Sequence, residues 1–332
     1  MQKIVSGMIF TFLLIGTLTL AFNVGVVRAQ APQTVYINGD GSVSPSSAPI
    51  SSIDNVNYTF TGNMSYPTYN GIVVERNNII IDGNGYTVQG NNSGNLYAYD
   101  ESDGLNLTDI SNVTIENTNI ENFQNGIFLL GSNNNVISGN NATANVVGIF
   151  LDFSSNNNDV SGNNATANRQ YGMYIQFSSS NTVSGNNATA NTDYGIDVNN
   201  CSNNTVVGNN VIGNYYGIFL YSSSNSTVSG NVVRSNSNYG IYLEGSSNSS
   251  VSGNNVTANW DGIYLEGSSN NTVISNNATG NSEYSIYIDT SSDNDILENN
   301  TVPEFPNSLI LAIFMLATLL TIAIYKKKHS HS

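Results

Sequence analysis

The sequence predicts an all-β chain, a single-stranded parallel β-helix, and three observations predict it. A glycine-led unit returns at Gly104, Gly126, Gly148, Gly172, Gly195, Gly217, Gly240 and Gly262, with Ser285 next in the same slot, at intervals of 22, 22, 24, 23, 22, 23, 22 and 23 residues. Within each unit apolar and polar residues alternate at the strand period of two, and no helical spacing of apolar residues occurs. The corners between strands are asparagine-rich. Near-equal periods of this length mark a solenoid, in which each unit buries its apolar face against its neighbours.

The elements follow in order. Residues 1–29 read as a secretory signal, with Lys3, an uncharged stretch Ile4–Val27 and small residues before a cleavage site. Residues 30–70 are lead-in strands and a cap, and 71–302 are the repeats. Residues 303–308 link them to an apolar run, 309–325, whose length of about 26 Å as a helix suits a membrane span. Lys326–Lys328 open the tail 326–332 and set it on the cytoplasmic side, which places the repeats outside the cell.

Inside a unit, the residue after the glycine (Ile127, Ile149, Met173, Ile196, Ile218, Ile241, Ile263, Ile286) and the third after it (Leu129 to Ile288) point inward. A second strand contributes Ile137, Val160, Val183, Val206, Val228, Val251, Val273 and Ile296, and a narrower column runs Ala142, Ala165, Ala188, Val211, Val233, Val256 and Ala278. Columns from different sides of one coil predict a filled tube. Asn140 to Asn299 and Asn145 to Asn281 recur at two corners, where asparagine tolerates left-handed backbone and bonds its equivalent one coil away.

The outward columns carry the candidate site. Two residues after each glycine stand Phe128, Phe150, Tyr174, Asp197, Phe219, Tyr242, Tyr264 and Tyr287, expected to form one outer stripe interrupted at Asp197. Beside it run Leu130, Asp152, Gln176, Asn199, Tyr221, Glu244, Glu266 and Asp289. Ring stacking that stabilises the solenoid and a platform for sugar rings, helped by Asp152 and Asp197, both fit the stripe. Glu244, Glu266 and Asp289 repel unless solvated or bridged, and calcium is the candidate bridge. A solvated acidic edge is the competing reading.

Charge excludes one partner class. The chain carries a net charge of −15, and between residues 30 and 302 its only basic residues are Arg76, Arg169 and Arg234, so nucleic acid is not expected. One cysteine, Cys201, permits no internal disulfide. Sixteen Asn-x-Ser/Thr sequons, Asn141, Asn164 and Asn187 among them, are possible glycan acceptors.

The stretches "GIYLEGSSNNTVISNN" and "GIVVERNNIIIDGNGYTVQG" resemble the right-handed parallel β-helix repeats of the NosD-like and pectate-lyase-like superfamily, and "VPEFP" with the apolar run behind it resembles an archaeosortase-type sorting tail. The resemblance implies a right-handed coil, and its motifs are specific for fold but not for activity. It also implies copper handling, which the residues do not support: residues 30–302 hold no histidine, one cysteine and only Met64 and Met173 as methionines. The expected protein is a membrane-anchored, extracellular β-helix that binds carbohydrate or serves a structural or adhesive role through its outer aromatic and acidic stripe, with extracellular polysaccharide or other surface proteins as partners. A polysaccharide lyase, hydrolase or epimerase on the same scaffold is the alternative.

Overall fold

Each 22-to-24-residue period becomes one turn of a three-sided coil. The computed structural model describes residues 33–66, 70–91, 102–289, 295–296 and 300–301, and from Thr34 onward they belong to one unit. Three sheets of 12, 12 and 9 strands run along it, each pairing a strand with its equivalent one turn away. In the first sheet Ile127 pairs with Ile149, Ile149 with Met173, Met173 with Ile196 and Ile196 with Ile218, all in parallel register. The second stacks Ile137, Val160, Val183 and Val206, and the third stacks Ala142, Ala165, Ala188 and Val211. These columns are 0–1% exposed, so the inward positions of the sequence reading are the core. The narrow alanine side leaves room for the wider isoleucine and leucine columns opposite.

All three sheets begin within the lead-in. Val35–Ile37 pairs in parallel with Ile72–Val74, Asn57–Phe60 with Ile79–Asp82, and Met64–Ser65 with Thr87–Gln89. Two antiparallel strands, Val43–Ser44 and Ile50–Ser51, then cover the first edges of two sheets. An uncovered edge would present free backbone donors and acceptors to another chain. Tyr58 and Phe60, both fully buried, fill the tube at this end, and the Tyr58 hydroxyl donates to the Gly41 carbonyl at 2.8 Å.

At the corners the backbone leaves the sheets, and its buried N–H groups need other acceptors. Side-chain ladders supply them. Asn163 Oδ1 accepts from the Asn140 N–H at 2.9 Å, and Asn186, Asn209, Asn231 and Asn254 repeat the contact coil by coil. A second ladder runs Asn145, Asn168, Asn191, Asn214, Asn236 and Asn259. The first ladder ends differently from the sequence expectation: Asn276 is met by Asn300 Oδ1 at 2.9 Å, one residue beyond Asn299, because that interval is a residue longer. Two further ladders were not anticipated. One runs Asn135, Asn158, Asn181 and Asn204, and the other runs Ser132, Ser155, Ser178, Cys201, Ser223 and Ser246.

Cys201 therefore stands in a serine's place. Its sulfur accepts from the Ser178 N–H at 3.3 Å, and burial pushes the thiol up to about 11. A thiol so raised and only 5% exposed is unreactive. The folded protein is expected to resist alkylation by iodoacetamide at neutral pH until it is unfolded, and Cys201→Ser is expected to keep the fold. Rapid labelling of the native chain would contradict this placement.

The glycine column has a steric cause. A Cβ at Gly148 would lie 2.5 Å from the Gly172 carbonyl oxygen and 2.8 Å from Asn168 Nδ2, both held by the neighbouring coil. Ser285 occupies the slot just ahead of Ile286–Ile288, the last described strand of that sheet, with no described strand beyond it to collide with.

Seven of the sequons fall into two groups. The amides of Asn141, Asn164 and Asn187 form a half-buried outer ladder, with Asn164 Nδ2 donating to Asn141 Oδ1 at 2.7 Å and Asn187 Nδ2 to Asn164 Oδ1 at 2.8 Å. Asn203, Asn225, Asn248 and Asn270 instead sit exposed at turn positions with φ of 54–57°. The signal segment, linker, apolar run 309–325 and tail lie outside the described residues, among which no helix is long and apolar enough to cross a membrane.

Candidate functional site: an aromatic cleft over a buried aspartate

The outer face of the first sheet is more crowded than the sequence reading allowed. The expected stripe is there, but Phe219 and Tyr242 are buried at 8% and 7% exposure, and Asp152 and Asp197 at 9% and 2%. Beside Asp197, Phe219 and Tyr242 packs a second aromatic column that the sequence reading missed. Tyr171, Tyr194, Tyr216 and Tyr239 each precede a coil glycine, in "QYGM", "DYGI", "YYGI" and "NYGI". That recurring Tyr-Gly pair was the signal available. It went unread because strict alternation from the glycine places the preceding residue on no outward column.

Together the two columns make a continuous stack. Phe150 lies on Tyr174 at 4.8 Å, Tyr174 on Tyr171 at 4.5 Å, Tyr171 on Tyr194 at 5.0 Å, Tyr194 on Phe219 at 5.6 Å and Phe219 on Tyr242 at 4.9 Å. The interplanar angles along this run are 7–23°, so the ring faces are spent on one another. What the surface offers is ring edges and phenolic hydroxyls. A platform of free ring faces under sugars, as the sequence suggested, is not what forms. Each such pair stabilises by about 0.5–1.5 kcal/mol beyond its buried area, so the stack is a stabilising spine as well.

The stack makes one detour. Where the ring column is interrupted by Asp197, Tyr171 and Tyr194 carry it past on the other column. A cleft of ≈ 370 Å³ opens there, lined by Tyr171, Tyr194, Tyr216, Phe219, Tyr239 and Tyr242 with Asp197, Asn199, Tyr221, Asn238 and Glu244. Asp197 forms its floor, and its Oδ1 has no hydrogen-bond partner. Burial pushes the carboxyl well above the usual aspartate range, which favours the neutral acid. The same burial, and next the Asp197 charge, raise Tyr171 to about 12, and both also raise Tyr174 and Tyr194.

Not every expected site residue reaches this cleft. Asp197, Phe219, Tyr242 and Glu244 do. Phe150, Tyr174, Tyr264 and Tyr287 belong to the stack but not to the cleft lining, and Tyr264 stacks on Tyr287 at 4.8 Å. Asp152 lies apart, its Oδ1 accepting from the Phe153 N–H at 2.8 Å, with burial raising its carboxyl. Of the acidic ladder, Glu244 and Glu266 are register partners, Glu266 Oε2 accepts from the Tyr242 hydroxyl at 2.6 Å, and Asp289 Oδ2 accepts from the Gly267 N–H at 3.1 Å. Among the described residues no group of three acids, histidines or cysteines is arranged to hold a metal ion.

A three-sided parallel coil with a lined cleft on one outer face defines the class, a parallel β-solenoid. The chain belongs to the right handed beta helix family, whose model matches residues 35–211, 103–256 and 195–304. No curated protein matches it in sequence. Among solved structures it is similar to the periplasmic alginate epimerase AlgG, at 16% identity over 77% of this chain and 80% of that one, with a TM-score of 0.54. It is also similar to the DFA-IIIase of Arthrobacter chlorophenolicus A6 (16% identity, 74% and 68% covered, TM-score 0.56) and to the Dettilon tailspike protein (15% identity, 81% and 68% covered, TM-score 0.53). At such identities the likeness is one of fold.

Proposed function

We propose that this protein is a cell-surface carbohydrate-binding β-solenoid, held at the membrane by the apolar run 309–325 with Lys326–Lys328 inside, and that the cleft over Asp197 is its binding site. The observation that carries the reading is the lining of that cleft, where aromatic edges and phenolic hydroxyls alternate with the amides of Asn199 and Asn238 and two carboxyl groups. Such a mixture suits a ligand that is apolar on its ring faces and hydroxylated at its rim. The solved structures of like fold include an alginate epimerase, which makes a glycan a reasonable class of ligand for this scaffold. An anionic glycan fits poorly, since the chain carries a net charge of −15 and no Lys, Arg or His lines the cleft.

One observation favours the enzymatic alternative: burial raises the Asp197 carboxyl, the direction that suits a general acid. Its nearest companion in the cleft lining, Glu244, stands two coils away by register, roughly 10 Å from backbone to backbone along the axis. The register partners of Asp197 in its own column are Tyr174 and Phe219 rather than a second acid, so binding without turnover is the reading adopted. A glycan array probed with the full-length chain is expected to show a restricted set of bound glycans, with signal reduced at least tenfold in Tyr216→Ala, and bound oligosaccharides are expected to be recovered intact. Binding unchanged by Tyr216→Ala would remove the cleft from the reading, and cleaved products would replace it with the enzymatic one.

A further inference from the structure

Asp197 poses a question that the carbohydrate reading leaves open. A neutral sugar is recognised as well by an amide or a hydroxyl, and the repeats are rich in both. A carboxyl 2% exposed, with Oδ1 unpartnered and rings packed around it, is an unfavourable group to keep in a stabilising stack. The groups around it supply no positive charge. The titratable neighbours are Tyr171, Tyr174, Tyr194, Tyr216 and Cys201, with the carboxyls of Asp193 and Asp152 acting on those tyrosines and Glu244 further along the cleft, and none is cationic at neutral pH.

We propose that the cleft binds a glycan through a free, protonated amine, with Asp197 as the counter-ion; this rests on the carbohydrate reading above and names its ligand class. An ammonium group arriving at the floor gives Asp197 the opposite charge that its surroundings lack, and the phenolic oxygens lining the cleft can accept hydrogen bonds from the same cation. The chain's net charge of −15 draws such a ligand in at long range. No bond is made or broken in the ligand. Asp197 gives its proton to solvent as the ammonium docks, so binding releases one proton wherever the free protein holds Asp197 neutral. Affinity then rises with pH through that range, and falls once the amine itself loses its proton.

The test is titration calorimetry of the full-length chain with a β-1,4-linked glucosamine hexamer and with its fully N-acetylated counterpart, in two buffers of different ionisation heat. The amino hexamer is expected to bind at least tenfold more tightly, to release close to one proton at mildly acidic pH, and to lose that preference in Asp197→Asn. Glu283→Gln, which removes an exposed charge outside the cleft, is expected to leave the preference intact. Equal binding of the two hexamers, unaltered in Asp197→Asn, overturns the amine assignment and leaves the carbohydrate reading standing. An equal loss in Glu283→Gln overturns it too, by reducing the preference to general charge attraction. Failure to bind either hexamer, with no glycan bound on the array, overturns both. Should Asp197→Asn not fold, proton release and the acetylation preference of the unaltered chain decide alone.

Discussion

Asn209→Leu is expected to lower the melting temperature by roughly 10 °C or more and to open the coils on both sides of it. The two side chains have similar volumes, so the effect is one of hydrogen bonding. Asn209 Oδ1 accepts from the Asn186 N–H at 2.9 Å and from Asn186 Nδ2 at 3.0 Å, while its Nδ2 donates to the Val183 carbonyl at 2.9 Å and to Asn231 Oδ1 at 3.0 Å. Leucine leaves the Asn186 N–H without an acceptor and weakens the pairing of Val183 and Asn231, all in a site 1% exposed. Each buried polar group left unmade costs about 1–3 kcal/mol, which sums to about 3–6 kcal/mol here. Asn187→Leu is the control. Its amide also bonds along a ladder, but on the outer face, where water replaces the partner, so the expected change is under about 1 kcal/mol. Thermal melts of the two variants decide the point, and equal losses would mean that the inner ladder is no more than a by-product of stacking.

That contrast also shows what the sequence could and could not reveal. Inward columns such as Ile218 and Leu243 were legible because burial imposes a period of two on a strand and the repeat averages out exceptions. The ladders at Asn140 and Asn145 were legible for the same reason. The ladder through Asn135 and Asn158 was not, because Ser226 and Ser249 replace asparagine partway along it and the residue type no longer marks the column. The cleft was hidden more deeply. Its rings come from positions whose spacing crosses the strand alternation, and the step from Tyr174 to Tyr171 is a side-chain choice that no periodicity encodes. Asp197 read as a gap in an outer stripe. Only the packing of Tyr171 and Tyr194 beside it turns that gap into a buried acid.

Asp197→Asn is expected to raise stability at neutral pH. The sign follows from where the proton resides. In the unfolded chain Asp197 ionises in the ordinary aspartate range, whereas in the folded chain burial raises it well above that range. The stabilisation from holding the neutral acid is therefore complete below the ordinary range and is lost as pH rises toward the raised folded value. Each pH unit inside that window removes about 1.4 kcal/mol. Asparagine keeps the shape and the polarity but titrates nowhere, so its melting temperature should be flat across the window while that of the unaltered chain falls. The two curves should converge at acid pH, where both side chains are neutral. A stack of rings that tolerates such a residue in its spine, against about 0.5–1.5 kcal/mol for each ring pair it could otherwise make, gives up stability at the one position that lines the cleft floor. The expected outcome for this variant is thus paired: a more stable solenoid that no longer distinguishes an amino sugar from its acetylated form. Parallel pH profiles for Asp197→Asn and the unaltered chain would show that Asp197 stays ionised in the fold, and with that the neutral acid at the centre of this site would be gone.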